Sequence, residues 1–154
     1  MGMQETTTTT EETTVQDGFK YNDGGRALAG YRGLAGDCVA RAVAIACEIP
    51  YKDAYETLAN INKKTSGTCS AREGIQTKSN AFKLFMLNLG WKWTPTMFIG
   101  QGCKVHLRKN ELPMGKIICA VSRHYVAVID GVVNDAYDST RNGNRCVYGY
   151  WSKA

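Results

Sequence analysis

Ser122-Arg123-His124-Tyr125-Val126-Ala127-Val128-Ile129-Asp130-Gly131-Val132-Val133-Asn134-Asp135-Ala136-Tyr137-Asp138 is the run that sets the fold class. Two β-branched segments flank Asp130-Gly131, a dipeptide suited to a two-residue hairpin because both positions tolerate positive φ. A turn of that length pairs Ile129 with Val132 and fixes the register. Val126 then lies across from Asp135, and His124, on the same face, lies diagonal to that carboxylate. A three-residue loop brings Asp138 opposite His124 instead. Asp-Gly usually makes the shorter turn, so Asp135 is the expected partner and Asp138 the alternative. A histidine oriented by a carboxylate is half of a nucleophilic site, and the nucleophile has to come from elsewhere in the chain.

Outward from the hairpin, Pro113 and Gly115 mark a turn before a strand at Lys116 to Val121. Thr140 to Asn144 reads as another turn, followed by a strand from Arg145 to Trp151. Trp91 to Ile99 reads as extended, with Pro95 confining it to a sheet edge or a bend. Upstream the period changes from two to 3.6 residues. Phe82, Phe85, Met86 and Leu89 form the apolar stripe of a helix over Ala81 to Leu89, capped by Ser79 or Asn80 and closed by Gly90. Ala54, Tyr55, Leu58 and Ile61 do the same for a helix starting after Pro50 and running from Tyr51 to about Ile61. The polar stretch from Lys63 to Lys78 reads as a surface loop. Helices first and antiparallel strands after them give an α+β chain.

The earliest helix carries the candidate nucleophile. In Leu34-Ala35-Gly36-Asp37-Cys38-Val39-Ala40-Arg41-Ala42-Val43-Ala44-Ile45-Ala46-Cys47, Gly36 permits a sharp turn, Asp37 suits an N-cap and the alanines favour helix. So few of its positions are polar that the helix should be buried on most sides. Cys38 falls in the first turn, where unpaired N–H groups and the helix dipole favour a thiolate. Arg41, one turn on, adds positive charge on roughly the same face. Cys38, His124 and Asp135 therefore form a candidate catalytic set in which sulfur attacks, imidazole moves the proton and carboxylate fixes the ring.

The totals narrow the function classes. A chain of 154 residues suits one domain, and residues 1–17, rich in threonine and glutamate with no basic residue, read as a disordered tail preceding a domain over 18–154. The remaining 19 basic against 10 acidic residues make that domain strongly basic. No apolar run is long enough for a membrane span and the start lacks a secretory signal, which points to a cytoplasmic protein with no membrane partner. Six cysteines without a CxxC pair predict reduced thiols rather than a disulfide framework. Cys103 and His106 lack the second ligand pair of a zinc site, and no phosphate-binding glycine motif is present, so neither metal nor cofactor is expected. The basic surplus supports an alternative of another class, a nucleic-acid- or host-factor-binding protein without catalysis. It would use Lys63, Lys64, Arg108, Lys109, Arg141 and Arg145, with stacking by Trp91 and Trp93.

At these residues the chain resembles the papain-like cysteine peptidases, whose nucleophilic cysteine heads a central helix packed on a sheet that carries the histidine and its Asp or Asn. Gly36-Asp37-Cys38-Val39-Ala40-Arg41 is similar to the G-N-C-x-F-R motif of ovarian-tumour-type deubiquitinases, and His124-Tyr125 to their HY pair. The layout also resembles the bacteriocin-processing peptidase domains of ABC exporters. Over about residues 19–151 the chain looks like small phage and bacterial proteins without an established activity. The resemblance implies a papain-like fold, with the N-terminal Cys38 helix packed against a C-terminal antiparallel sheet. It further implies a thiol hydrolase acting on a peptide, isopeptide or amide bond, a protein or peptide substrate, and the host cytoplasm if phage-encoded. Papain and the exporter peptidases place an oxyanion-hole glutamine about six residues before the cysteine; Arg32 stands there in this chain. Arg32, Asn22 and Asp37 are accordingly the candidate oxyanion or substrate contacts beside the Cys38 backbone N–H.

Overall fold

The computed structural model describes residues 15–16, 18–31, 37–66 and 79–154. Within them the chain is α+β, with three α-helices and a mostly antiparallel sheet. The strands are β1 (Val15–Gln16), β2 (Phe19–Tyr21), β3 (Trp91–Pro95), β4 (Lys116–Val121), β5 (His124–Ile129), β6 (Val132–Asp135) and β7 (Gly149–Lys153). They lie in the order β1-β2-β6-β5-β4-β7-β3. The helices are α1 (Cys38–Ala46), α2 (Tyr51–Ser66) and α3 (Asn80–Asn88).

The β5–β6 hairpin has the register its turn residues dictate. Ile129 pairs with Val132, Val128 with Val133 and Ala127 with Asn134. Asp130 at φ 51° and Gly131 at φ 81° both take the left-handed backbone required of such a turn. A second two-residue turn, Ser122-Arg123, joins β4 to β5 and pairs Val121 with His124. Pro95 ends β3, which is an edge strand paired only with β7.

Helix α1 packs against β5, and every residue from Val39 to Ala46 is buried. One core joins α1 to Tyr51, Ala54 and Leu58 of α2, Phe82 and Met86 of α3, and Ile118, Ala127 and Trp151 of the sheet. Alternation along β4 and β5 sends Ile117, Cys119, Val126 and Val128 into a second cluster with Phe19, Val133, Leu107, Leu112 and Val147. The sheet is thus covered on both faces, which explains why its central strands are apolar almost throughout.

Five expectations need correction. The sheet is not wholly antiparallel, because β2 runs parallel to β6, with Phe19 opposite Val133 and Tyr21 opposite Asp135. Strand pairing begins inside the segment read as a tail, Val15 with Lys20 and Gln16 with Phe19; residues 1–14 and 17 lie outside the described ones. Helix α2 continues past Ile61 to Ser66, since Asn62 is buried and the lysines after it are good helix formers. The last strand starts at Gly149 rather than Arg145. Val147 and Tyr148 bond instead to Val105, Ala120 and the Thr96-Met97 backbone. Finally, Cys103 and Cys146 form a disulfide, brought together by the bridge between His106 and Cys146, so the thiols are not all reduced. Cys38, Cys47 and Cys119 are free.

Candidate active site

Asp37 leads into α1 differently from the N-cap that its type suggests. Its backbone carbonyl accepts the first helical bond, from Arg41 N at 3.0 Å, but its side chain caps nothing. The carboxylate is 1% exposed and accepts from the Arg41 guanidinium and the Tyr51 hydroxyl, with Arg26 Nε 3.0 Å away. A carboxylate engaged in this way is no oxyanion donor. Its role is to hold three elements to the start of α1: the loop after β2, α2 and α1 itself.

Cys38 is therefore the first helical residue, half-buried at the end of the sheet where β5 begins. Its sulfur is hydrogen-bonded to the His124 side chain and to the Tyr125 backbone N–H. His124 is 7% exposed, and its Nε2 lies 2.7 Å from Asp135 Oδ2. With Nε2 committed to the carboxylate, Nδ1 is the ring nitrogen left for the sulfur. Asp135 is fixed by further donors: Ser139 Oγ at 3.1 Å on Oδ2, with Ala136 N at 2.7 Å and an Arg41 nitrogen at 3.3 Å on Oδ1. Tyr137 covers the imidazole, its ring centroid 5.4 Å away and its hydroxyl 3.4 Å from Nδ1. Asp138, the alternative partner for the ring, caps the following turn through Thr140 N and Oγ1.

The electrostatics separate one thiol from the others. Burial pushes the Cys38 thiol up. Against it act the His124 hydrogen bond and charge, the Tyr125 N–H and the Arg41 charge, which together hold it below the ordinary thiol value. Burial likewise opposes protonation of His124, but its bonds to Asp135 and Cys38 and the charges of both raise it to about 9. The same contacts therefore favour the thiolate on Cys38 and the proton on His124. Burial alone drives Cys119 upward, and it drives Cys47 up to about 12 despite nearby Lys153. Cys119 belongs to the second core cluster, and Cys47 is half-buried against the first.

No family model, curated protein or solved structure matches the chain.

Asn22 donates from its backbone to Asp135 O and from Nδ2 to Asn134, and accepts from Gly24 N, which ties the loop after β2 to the end of β6. Arg32 lies outside the described residues. Among the basic residues of the binding alternative, Arg108 is held by Glu111, Gly143 O and Asn144, and Arg145 is buried on the carbonyls of Ser139 and Ser122. Trp91 is core, and Trp93 packs on Trp151 at 5.5 Å. Arg108, Arg145, Trp91 and Trp93 are thus engaged within the fold, while Lys63, Lys109 and Arg141 are exposed. Among the described residues there is no group of three or more His, Cys, Asp or Glu placed to hold a metal, and no helix is long and apolar enough to cross a membrane.

Sequence reasoning missed Ser139, Tyr137 and the second contact of Arg41. Ser139 and Tyr137 follow the hairpin by two to four residues, where no periodicity applies. The sequence spacing places Arg41 on the Cys38 face, but nothing in a single sequence pairs it with Asp135.

Proposed function

We propose that the chain is a papain-like thiol hydrolase that cleaves a peptide, isopeptide or amide bond. The observation that carries this reading is the continuous hydrogen-bonded path from Cys38 through His124 to Asp135, 2.7 Å long at its second step. It is assembled from the start of a buried helix and the ends of two strands. Cys38 sulfur attacks the carbonyl carbon, the C–N bond breaks, and His124 gives its proton to the leaving amine. Water, deprotonated by His124, then attacks the thioester, the acid is released as the C–S bond breaks, and the sulfur leaves as thiolate beside the reprotonated ring; an amine in place of water makes the same site a transamidase. Asp135 keeps the ring's tautomer and orientation through both halves. The cysteine heading a buried α1 that packs on the later strands β4 and β5 supports the papain-like assignment. The apolar cover of the Tyr137 ring over the imidazole suits a site that limits water at the proton-transfer step.

The test is selective alkylation. At about pH 6, iodoacetamide should modify Cys38 at least ten-fold faster than Cys47 or Cys119, and His124→Ala should remove the difference. Equal, slow labelling of the three would sink the reading. Incubation with a proteome-derived peptide mixture, scored by mass spectrometry for new termini absent with Cys38→Ala, then identifies the bond cleaved.

A further inference from the structure

Arg41 touches both halves of the site. Its guanidinium binds Asp37 at the head of α1, while another of its nitrogens lies 3.3 Å from Asp135 Oδ1 at the end of β6. The side chain is buried, so neither contact is diluted by water. Asp135 turns its other oxygen to His124 Nε2, and Asp37 turns its other oxygen to Arg26 and Tyr51. One planar cation therefore spans the gap between the helix that carries the sulfur and the strand that carries the orienting carboxylate. A guanidinium holds two carboxylates at fixed separation through its rigid fork; an ammonium of equal charge does not.

We propose that Arg41 is a positioning residue of the Cys38–His124–Asp135 site, clamping α1 to β6 so that sulfur, imidazole and carboxylate keep their alignment. The inference rests on the thiol-hydrolase reading and gives that site a second, buried layer. The charged and titratable groups facing this layer are Asp37 and Cys38 at the start of α1, Tyr51 from α2, Arg26 from the loop after β2, and His124 from β5. Asp135 joins them from β6, with Tyr137 and Arg145 from the segment beyond it. The Arg41 charge also favours the Cys38 thiolate.

The experiment follows Cys38 alkylation by iodoacetamide across about pH 4 to 10, with folding checked by circular dichroism. It uses the wild type, Arg41→Lys, and the double variant Asp37→Asn/Arg41→Met, which removes a carboxylate together with its cation. Arg41→Lys keeps the charge and loses the fork. Its acid limb should stay near the wild-type position, while the step at higher pH, where His124 deprotonates, should move down by about one pH unit as Asp135 loosens. The double variant should also lose about ten-fold in rate on the acid limb. If the wild-type thiol is fast and a folded Arg41→Lys keeps both limbs, the positioning role is wrong and the hydrolase reading survives. A wild-type Cys38 no faster than Cys47 overturns both. Should the double variant fail to fold, Arg41→Lys decides alone.

Discussion

At the scale of single residues, the site is an argument about where charge is tolerated. Cys38, His124 and Asp135 are all withdrawn from water, and burial opposes ionisation of the thiol and of the ring alike. The thiolate and the imidazolium are nonetheless favoured, because each charge has a partner within hydrogen-bond reach. His124 holds its proton up to about 9, well above the ordinary imidazole value. A value raised by folding stabilises the protein fully below about pH 6.5, and that contribution disappears as pH rises through about 9. Asp135→Asn removes the strongest hydrogen bond favouring the imidazolium. In that variant the alkaline step of Cys38 alkylation should fall towards the ordinary histidine range and the acid limb should rise. Because the two groups titrate as a pair, both limbs move together. Mass-spectrometric alkylation rates at a series of pH values read both limbs, and an unmoved alkaline step would show that Asp135 does not orient the ring.

At the scale of elements, the hairpin decides the site, and it was legible. Asp130-Gly131 specified the turn, the turn specified the register, and the register put Asp135 rather than Asp138 beside His124. Local chemistry was sufficient because all three steps occur within the twelve residues from His124 to Asp135. The same reasoning makes Gly131 a critical position. Its φ is 81°, and a Cβ there would come 2.9 Å from Lys109 Cα in the short 3₁₀ turn Lys109–Glu111 that packs over it. Gly131→Val therefore combines left-handed strain with a backbone collision. It should destabilise the protein by roughly 2–4 kcal/mol, by analogy with the cost of overpacking added to that of a disfavoured backbone. It should also slow Cys38 alkylation at neutral pH, because a shifted turn withdraws Asp135 from the ring. Urea unfolding midpoints and alkylation rates measure the two effects separately. A full-rate, destabilised variant would mean that the register is held by β5 and β6 themselves rather than by the turn.

At the scale of the whole molecule, contacts between distant segments were the part the sequence did not disclose. The parallel pairing of β2 with β6 joins positions over a hundred residues apart, and Phe19 and Tyr21 alone do not announce a strand. Arg41 reaches Asp135 across a similar distance. Cys103 and Cys146 belong with them: separated by 43 residues, they meet because the segments at Val105 to Leu107 and Arg145 to Val147 bond to one another beneath the second core. That crosslink closes a long loop in the unfolded chain, so its removal should cost about 2–4 kcal/mol and lower Tm by roughly 5–15 °C in a domain of this size. The double variant Cys103→Ser/Cys146→Ser, and the wild type in reductant, should show the same drop. The site is built from the start of α1 and the ends of β5 and β6, none of which carries either sulfur, so folded protein without the crosslink should still alkylate Cys38 selectively. Calorimetry with and without reductant supplies the first number and peptide mapping the second. Equal Tm values would place the stability of this half of the molecule in the packing of Leu107, Leu112 and Val147, with the two sulfurs adding nothing to it.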